Sequence, residues 1–134
     1  MDRNDNPSDL VLAQRIRNRI IEYLEIASSY EEQLKYERNV PIANVPAEMV
    51  CQWEDHVRDD NFWFSEPVFS SAEQAAIREF HAIWSEVSKD TPKHLPKLSV
   101  LIGTEPWERL RLGAEIALAT FRLRGKFSEE REQF

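Results

Sequence analysis

Three histidines and one cysteine are the residues of this chain that could bind a metal or act as nucleophiles. His56 and Asp60 are four residues apart, so they would share one face of a helix and could supply two metal ligands. The Glu-x-x-His pattern of di-iron helical bundles is absent, because no glutamate stands three residues before any of the histidines. No third ligand is indicated, and the sequence therefore predicts no metal site.

Cys51 could form a nucleophile–base pair with His56 or His81. Asp55 lies one helical turn from Cys51, however, and its negative charge opposes thiolate formation. We therefore expect Cys51 to be a small buried or half-buried side chain without a catalytic role. The three isolated glycines exclude a phosphate-binding glycine loop, and a single cysteine excludes a thiolate zinc site. The sequence predicts neither a cofactor nor catalysis.

The most unusual stretch of the chain is an acidic–aromatic segment, residues 54–66, in which carboxylates precede and flank large aromatic rings. Protein interfaces use buried aromatic side chains as anchors and charges at the rim for steering. The segment is therefore predicted to bind a partner protein. The predicted binding residues are Glu54, Asp55, Asp59, Asp60, Phe62, Trp63, Phe64 and Glu66.

A second interpretation of the same segment is that its phenylalanines belong to the core. In this case Phe62, Phe64 and Phe69 fold back as a lid, and only the acids remain outside with one ring, that of Trp63. Even then an exposed tryptophan beside four carboxylates would make a protein-binding patch.

Charge is distributed unevenly along the chain, whose net charge is −7. Residues 39–90 contain ten acidic and three basic residues, whereas residues 91–127 contain three acidic and seven basic residues. Part of this asymmetry should be neutralised by ion pairs between helices. The acidic surface that remains would attract cationic partners and repel nucleic-acid phosphates, so we expect a cationic protein partner and no nucleic acid.

Composition predicts the fold class. The chain has 134 residues, 42% of them hydrophobic, and only three glycines, too few for the many turns of a sandwich or barrel. We expect one all-α domain over residues 1–134, with an extension at residues 1–7 and a polar tail at residues 126–134. No signal sequence or membrane-spanning run is visible and no disulfide can form, so we expect a cytoplasmic protein that does not enter membranes.

Apolar periodicity predicts an irregular bundle of four principal helices. The first and longest should begin at an Asn6 N-cap, continue for up to about 30 residues and bend near Ser28 and Ser29. Its apolar residues recur at steps of three and four. They are Ala13, Ile16, Ile20, Tyr23, Ala27, Tyr30 and Leu34.

Two further helices are expected in the middle of the chain. One should start at Pro46 and bury a stripe of apolar residues, and the next should run from Ser71 to about Lys89. Ser70 and Glu73 form a capping-box pair for the latter. Residues 98–102 should form a helical turn or two, and the tail from Lys126 should fray. The residues expected to be buried by the helix at Pro46 are Met49, Val50, Trp53 and Val57.

The last helix, from Trp107 to Arg124 with Thr104 as its N-cap, is apolar on two sides. A helix of this kind requires neighbours on both sides, so we expect it to be the buried centre of the domain. One side carries Trp107, Leu110, Ala114, Ala117, Leu118 and Phe121. The opposite side carries Leu112, Ile116, Ala119 and Leu123.

Three functions are compatible with these features. The first is a non-catalytic module that docks on a cationic protein and inhibits or regulates it, as acidic immunity proteins and antitoxins of similar size do; this is an analogy of class alone. The second is an enzyme or ligand binder with an aromatic pocket near His56 or His81. The third is a homodimer that associates through an exposed stripe of the first helix. The stripe would comprise Ile16, Ile20, Tyr23 and Leu24.

Overall fold

The computed structural model describes residues 7–57, 64–90 and 96–134. These residues form six helices and no strand, which confirms the predicted all-α fold. The helices are α1 (Asp9–Ala27), α2 (Tyr30–Asn39), α3 (Val45–His56), α4 (Ser71–Asp90), α5 (Leu98–Leu101) and α6 (Glu105–Arg122).

Helix α6 packs mainly against α4 and α1, while α1 also contacts α2 and α3. Gly113 of α6 faces Phe80 and Ile83 of α4. A methyl group added at Gly113 would lie 2.8 Å from Cδ1 of Ile83, so the absence of a side chain there permits the close approach. The apolar residues between these helices form one core.

The predicted first helix is divided into two helices at its expected bend. Ser29 adopts an extended conformation and caps α2 by accepting a hydrogen bond from the Glu32 amide at 3.1 Å. The buried side chain of Gln33 donates to the carbonyls of Ile26 and Ala27 at the end of α1 and accepts from the Trp107 indole at 3.0 Å. The Gln33 side chain therefore satisfies the last carbonyls of α1 at the break between α1 and α2, and its bond with Trp107 connects this break to α6.

The predicted N-cap of α1 is wrong, and that of α6 is confirmed in its position but makes no capping hydrogen bond with its side chain. Helix α1 begins two residues later than expected, because Ser8 accepts the amide of Val11 at 3.2 Å and is the N-cap, whereas Asn6 lies outside the described residues. Thr104 occupies the N-cap position of α6 without capping it with its side chain. Its hydroxyl instead donates to the Leu101 carbonyl at 2.7 Å, a competing local bond typical of threonine.

The middle helices lie close to their predicted positions. The capping box is confirmed: the Glu73 carboxylate accepts the Ser70 amide at 3.1 Å, and the Ser70 hydroxyl accepts the Glu73 amide at 3.2 Å. Helix α3 begins one residue earlier than expected, with Asn44 as its cap. Of its predicted buried stripe, Met49 and Trp53 are fully buried, whereas Val50 and Val57 are half-buried.

Only one of the two apolar sides of α6 is buried. All six residues of the first side are at most 3% exposed, as predicted. The expectation of neighbours on the other side is wrong, because Leu112, Ile116 and Leu123 are 42%, 65% and 83% exposed and Ala119 is also exposed. Helices α4 and α1 meet α6 from the inner side only, and no described element covers its outer side.

The C-terminal tail does not fray but packs on α1. Asn18 donates to the Phe127 carbonyl at 2.8 Å and accepts the Phe127 amide at 3.0 Å. Gln14 donates to the carbonyls of Ser128 and Arg131 at 2.8 Å and accepts the Gln133 amide at 2.8 Å. Hydrogen bonds from buried amide side chains thus hold a tail that contains no regular secondary structure.

The two sides of α6 should respond differently to truncation. We expect Leu118→Ala to lower the free energy of unfolding by about 2–5 kcal/mol, because it creates a cavity in the core. The matched variant Leu123→Ala, on the exposed side, should change it by about 0.5 kcal/mol or less. Urea denaturation at low micromolar protein concentration measures both. Equal losses would contradict the one-sided burial of α6.

Candidate functional site

The structure describes half of the eight predicted partner-binding residues. Glu54 and Asp55 are exposed on α3, Phe64 is half-buried and Glu66 is exposed. The predictions for Asp59, Asp60, Phe62 and Trp63 lie outside the described residues.

Glu54 and Asp55 lie in the last turn of α3, where the helix dipole disfavours negative charge. Their position therefore contributes nothing to the stability of the helix. The helix is fixed by other residues: the Tyr23 hydroxyl donates to the Met49 carbonyl at 2.6 Å, and the Trp84 indole donates to the Val50 carbonyl at 3.2 Å. The two carboxylates are thus displayed on a well-anchored helix end.

The turn before α4 positions Phe64 and Glu66. The Phe64 ring packs edge-on against the buried ring of Phe69 at a centroid distance of 5.1 Å, which agrees with the interpretation of the phenylalanines as a lid for these two residues. The Glu66 carboxylate is exposed and accepts the Ser71 hydroxyl at 2.9 Å. The turn before α4 therefore presents one carboxylate and part of one ring at the surface.

Arg124 holds this turn in place from the far end of the chain. Its guanidinium donates to the carbonyls of Pro67 and Val68 at 3.1 and 2.7 Å. The same guanidinium donates to both carboxylate oxygens of Glu73, at 2.6 and 3.1 Å. The turn is thereby connected to a buried ion pair.

The carboxylate of Glu73 is shared by two arginines. Arg17 of α1 is fully buried and donates to the two oxygens at 2.7 and 3.2 Å, opposite to Arg124. Arg17 also donates to the carbonyls of Gly125 and Phe121, and its guanidinium lies 3.9 Å from the centre of the Phe127 ring. Because nearly every donor and acceptor is paired, the buried charges are well compensated.

The surroundings of Glu73 keep its carboxyl group ionised. Burial by itself raises the pKa of Glu73, but hydrogen bonds from Arg124, Arg17 and the Ser70 backbone outweigh it and hold the pKa below its ordinary value of 4.5. The ion pair therefore stabilises the fold at neutral pH.

Internal ion pairs neutralise part of the uneven charge, as predicted. Arg109 of α6 bridges to Asp90 and Glu86 of α4 at 2.6 and 3.4 Å, and Arg124 bridges to Glu73. Within the described residues, Glu54, Asp55 and Glu66 form no ion pair with a basic side chain. Other exposed acids, such as Glu31 and Glu32 of α2, also form no ion pair within these ranges, so the unpaired surface charge includes the acidic–aromatic segment without being confined to it.

The histidines and the cysteine do not form a reactive site in the described part of the chain. His81 accepts the Trp53 indole at 3.2 Å and stacks on Trp84, so its ring helps to hold α3 against α4. Burial lowers the pKa of His56. Cys51 is exposed, contrary to our expectation, because it points away from the face of α3 that buries Met49 and Trp53. The described ranges contain no cluster of three or more potential metal ligands.

An open cleft of about 240 Å³ lies between the start of α3 and the residues before α5. Ile42, Pro46 and Lys97 are among its lining residues, and none of the described residues that line it is aromatic or a histidine. This cleft does not match the aromatic pocket that a ligand-binding function would require near His56 or His81.

The predicted self-association surface on α1 is not available. Ile20, Tyr23 and Leu24 are at most 2% exposed, and Ile16 is half-buried. The monomer itself covers this stripe, so a homodimer would require another surface.

The polar residues buried on α1 were missed by the sequence analysis. Gln14, Arg17 and Asn18 are spaced by three and one residues, so they share one face of the helix beside the apolar stripe. This clustering of long polar side chains within an apolar helix was the available signal. It does not identify the partners, which lie more than 50 residues away in sequence.

The described elements define an all-α fold with exposed carboxylates at the end of α3 and in the turn before α4, where Phe64 is half-buried. Comparison with known protein families, with curated proteins and with solved structures finds no match for this chain. Among the described helices, none has the length and apolar character needed to cross a bilayer.

The ion pair of Glu73 generates a prediction about pH. We expect Glu73→Gln to lower the free energy of unfolding by about 3–5 kcal/mol at neutral pH, because it leaves the buried Arg17 without a charged partner. The folded pKa lies below 4.5, so this contribution is complete above about pH 5 and is lost as the pH falls through the folded pKa. Urea denaturation from pH 7 to pH 3 should therefore show that the difference in free energy of unfolding between the wild type and the variant becomes smaller as the pH falls.

Two controls accompany this measurement. Glu79→Gln changes an exposed glutamate of the same helix and should have little effect at any pH. Arg124→Gln removes the partner that is 31% exposed and should give a smaller loss of the same sign. If the difference in free energy of unfolding between the wild type and Glu73→Gln became larger on acidification, Glu73 would not be the ionised partner of Arg17 in the folded state.

Proposed function

We propose that this protein is a non-catalytic, cytosolic binding module that docks on a cationic protein and inhibits or regulates it. The proposed docking surface is the acidic–aromatic segment. Its described members, Glu54, Asp55, Phe64 and Glu66, are exposed or half-buried on firmly held elements. Immunity proteins and antitoxins are the class analogy.

The observation that supports this proposal best is the position of Glu54 and Asp55. Both carboxylates are exposed, neither forms an ion pair with a described residue, and both lie at a helix end where negative charge is unfavourable. By contrast Glu73, Glu86 and Asp90 are engaged by arginines. Charges that do not stabilise the domain itself are well suited to interact with another molecule.

In the proposed docking mechanism, carboxylates accelerate association and aromatic side chains stabilise the complex once it has formed. Unpaired carboxylates raise the association rate with a cationic surface, an effect that weakens as salt screens it. Aromatic side chains supply contact area once the partners meet, and the exposed part of Phe64 would contribute in this way. Inhibition would follow if the docked surface covers the cationic site of the partner.

The proposal is tested by charge reversal at the end of α3. Glu54→Lys combined with Asp55→Lys should leave the melting temperature unchanged or slightly higher, because positive charge suits a helix C-terminus. Affinity capture from native cell extract at low salt, followed by elution at rising salt, should yield a basic protein with the wild type and much less of it with the variant. Stopped-flow kinetics with the purified captured protein should show a slower association rate for the variant and a smaller difference at high salt.

A matched control separates local charge from net charge. Glu130→Lys combined with Glu132→Lys makes the same change in net charge on the exposed tail. This control should retain most of the captured protein and most of the association rate. If both double variants lose binding equally, the effect is one of net charge and the proposed surface is wrong. Association rates that do not change with salt would also contradict steering.

A further inference from the structure

The outer side of α6 carries an apolar stripe that no described part of the chain covers. We define the α6 stripe as Leu112, Ile116, Ala119 and Leu123, which follow one another at steps of four, three and four residues. This spacing places them on one line along the helix. Single exposed aliphatic residues are ordinary, but an aligned row is typical of a surface that receives another helix.

Two opposite charges lie on the same flank of the α6 stripe. Glu115 and Arg122 are seven residues apart, so they are two helical turns apart on the same side of α6. The Glu115 side chain is 62% exposed and lies 3.7 Å from Arg111. Arg122 is exposed and forms no ion pair within the described residues. Both charges are therefore accessible to a molecule that lies along the stripe.

The positions of these charges favour an antiparallel second copy. In an antiparallel helix pair with twofold symmetry, a flank of one helix meets the same flank of the other helix. A residue that precedes the twofold axis in one copy then faces the residue that follows the axis by the same number of positions in the other copy. The midpoint between Glu115 and Arg122 lies one residue from the midpoint of the α6 stripe. Symmetric pairing of the stripe thus brings Glu115 of each copy close to Arg122 of the other.

A parallel pair would not produce this match. It would bring the flank with Glu115 and Arg122 against the other flank of the second helix, which carries Arg109 and Thr120. Arg109 is already engaged by Asp90 and Glu86. Charge complementarity therefore favours the antiparallel arrangement.

We propose that a second copy of this chain occupies the α6 stripe, so that two α6 helices pack antiparallel with two symmetric Glu115–Arg122 ion pairs at the rim. Ala119, near the middle of the stripe, lets the helices approach closely. This dimer uses a different face from the acidic–aromatic segment. Its existence does not depend on the proposed function, and its test requires no partner protein.

The size of the α6 stripe predicts a weak dimer. The exposed parts of its three large side chains amount to roughly 350 Å² per copy, a typical size for a functional patch. Two copies together bury less than the roughly 1,200 Å² of a standard stable interface. The dissociation constant should therefore be on the order of tens to hundreds of micromolar.

Sedimentation equilibrium of the purified full chain, from micromolar to millimolar concentration, tests the dimer. The wild type should change from monomer to dimer across this range. Ile116→Glu, which places two carboxylates near the symmetry axis, should remain monomeric. The control Val100→Glu changes a valine that is 59% exposed outside the stripe and should dimerise like the wild type.

A charge exchange tests the antiparallel arrangement. Glu115→Arg alone and Arg122→Glu alone should each weaken the dimer by roughly tenfold, because each creates two like-charge contacts. An equimolar mixture of the two single variants should associate more tightly than either alone, since the mixed dimer contains only opposite-charge contacts. The double variant should recover the wild-type dissociation constant. Circular dichroism confirms that each variant is folded, and the mixture remains informative if Ile116→Glu is not.

Three results would overturn the proposal. The first is a wild type that remains monomeric at millimolar concentration. The second is a dimer that Ile116→Glu does not weaken, or a mixture of single variants no tighter than its components. The third is a monomeric wild type whose Ile116→Glu variant no longer captures the basic protein from extract, which would assign the α6 stripe to this partner instead of a second copy.

Discussion

The carboxylate of Glu73 connects parts of the chain that are far apart in sequence. It completes the capping box of α4, binds Arg17 of α1 and binds Arg124 after α6, and Arg124 in turn holds the turn before α4. A buried carboxylate between two guanidinium groups has a large desolvation cost, and geometry close to ideal is needed to offset it. Such a cluster therefore penalises every arrangement of α1, α4 and the C-terminal residues in which a partner is missing. Its main physical effect is to select one packing among the many that an apolar bundle would tolerate.

Local patterns in the sequence predicted the parts of the fold that depend on local physics. The capping box at Ser70 and the buried side of α6 follow from residue types a few positions apart, and both are present. Periodicity shows that Leu112 and Ile116 are apolar but cannot show whether another element covers them, and the two-sided burial of α6 was therefore mispredicted. The break at Ser29 was foreseen only as a bend, because its stabilisation by Gln33 and Trp107 is a tertiary contact.

The sequence predicted that the candidate site would be acidic, but it did not predict which of its acids form ion pairs. The surplus of acids in residues 39–90 is visible from composition, and so is the expectation that arginines near the C-terminus neutralise some of them. Which acids are neutralised depends on the register between α4 and α6. That register places Arg109 beside Asp90 and Glu86, whereas Glu54 and Asp55, on α3, form no ion pair with any described residue. Gly113 lies in this contact, where an added methyl group would meet the side chains of Ile83 and Phe80 of α4.

The attachment of the tail to α1 has a consequence for how freely the tail sequence could change. Gln14 and Asn18 each contact the tail with both the donor and the acceptor of their amide groups, and every one of these bonds to Phe127, Ser128, Arg131 and Gln133 is made to main-chain atoms. Main-chain atoms are the same for almost every residue type, proline being the exception at a donor. At position 131 substitutions should therefore preserve docking, whereas a change of Gln14 or Asn18 removes several bonds at once. Two amides inside α1 thus hold the tail backbone, while the side chains of Phe127 and Glu129 add contacts of their own with Arg17, Asn18 and Arg19.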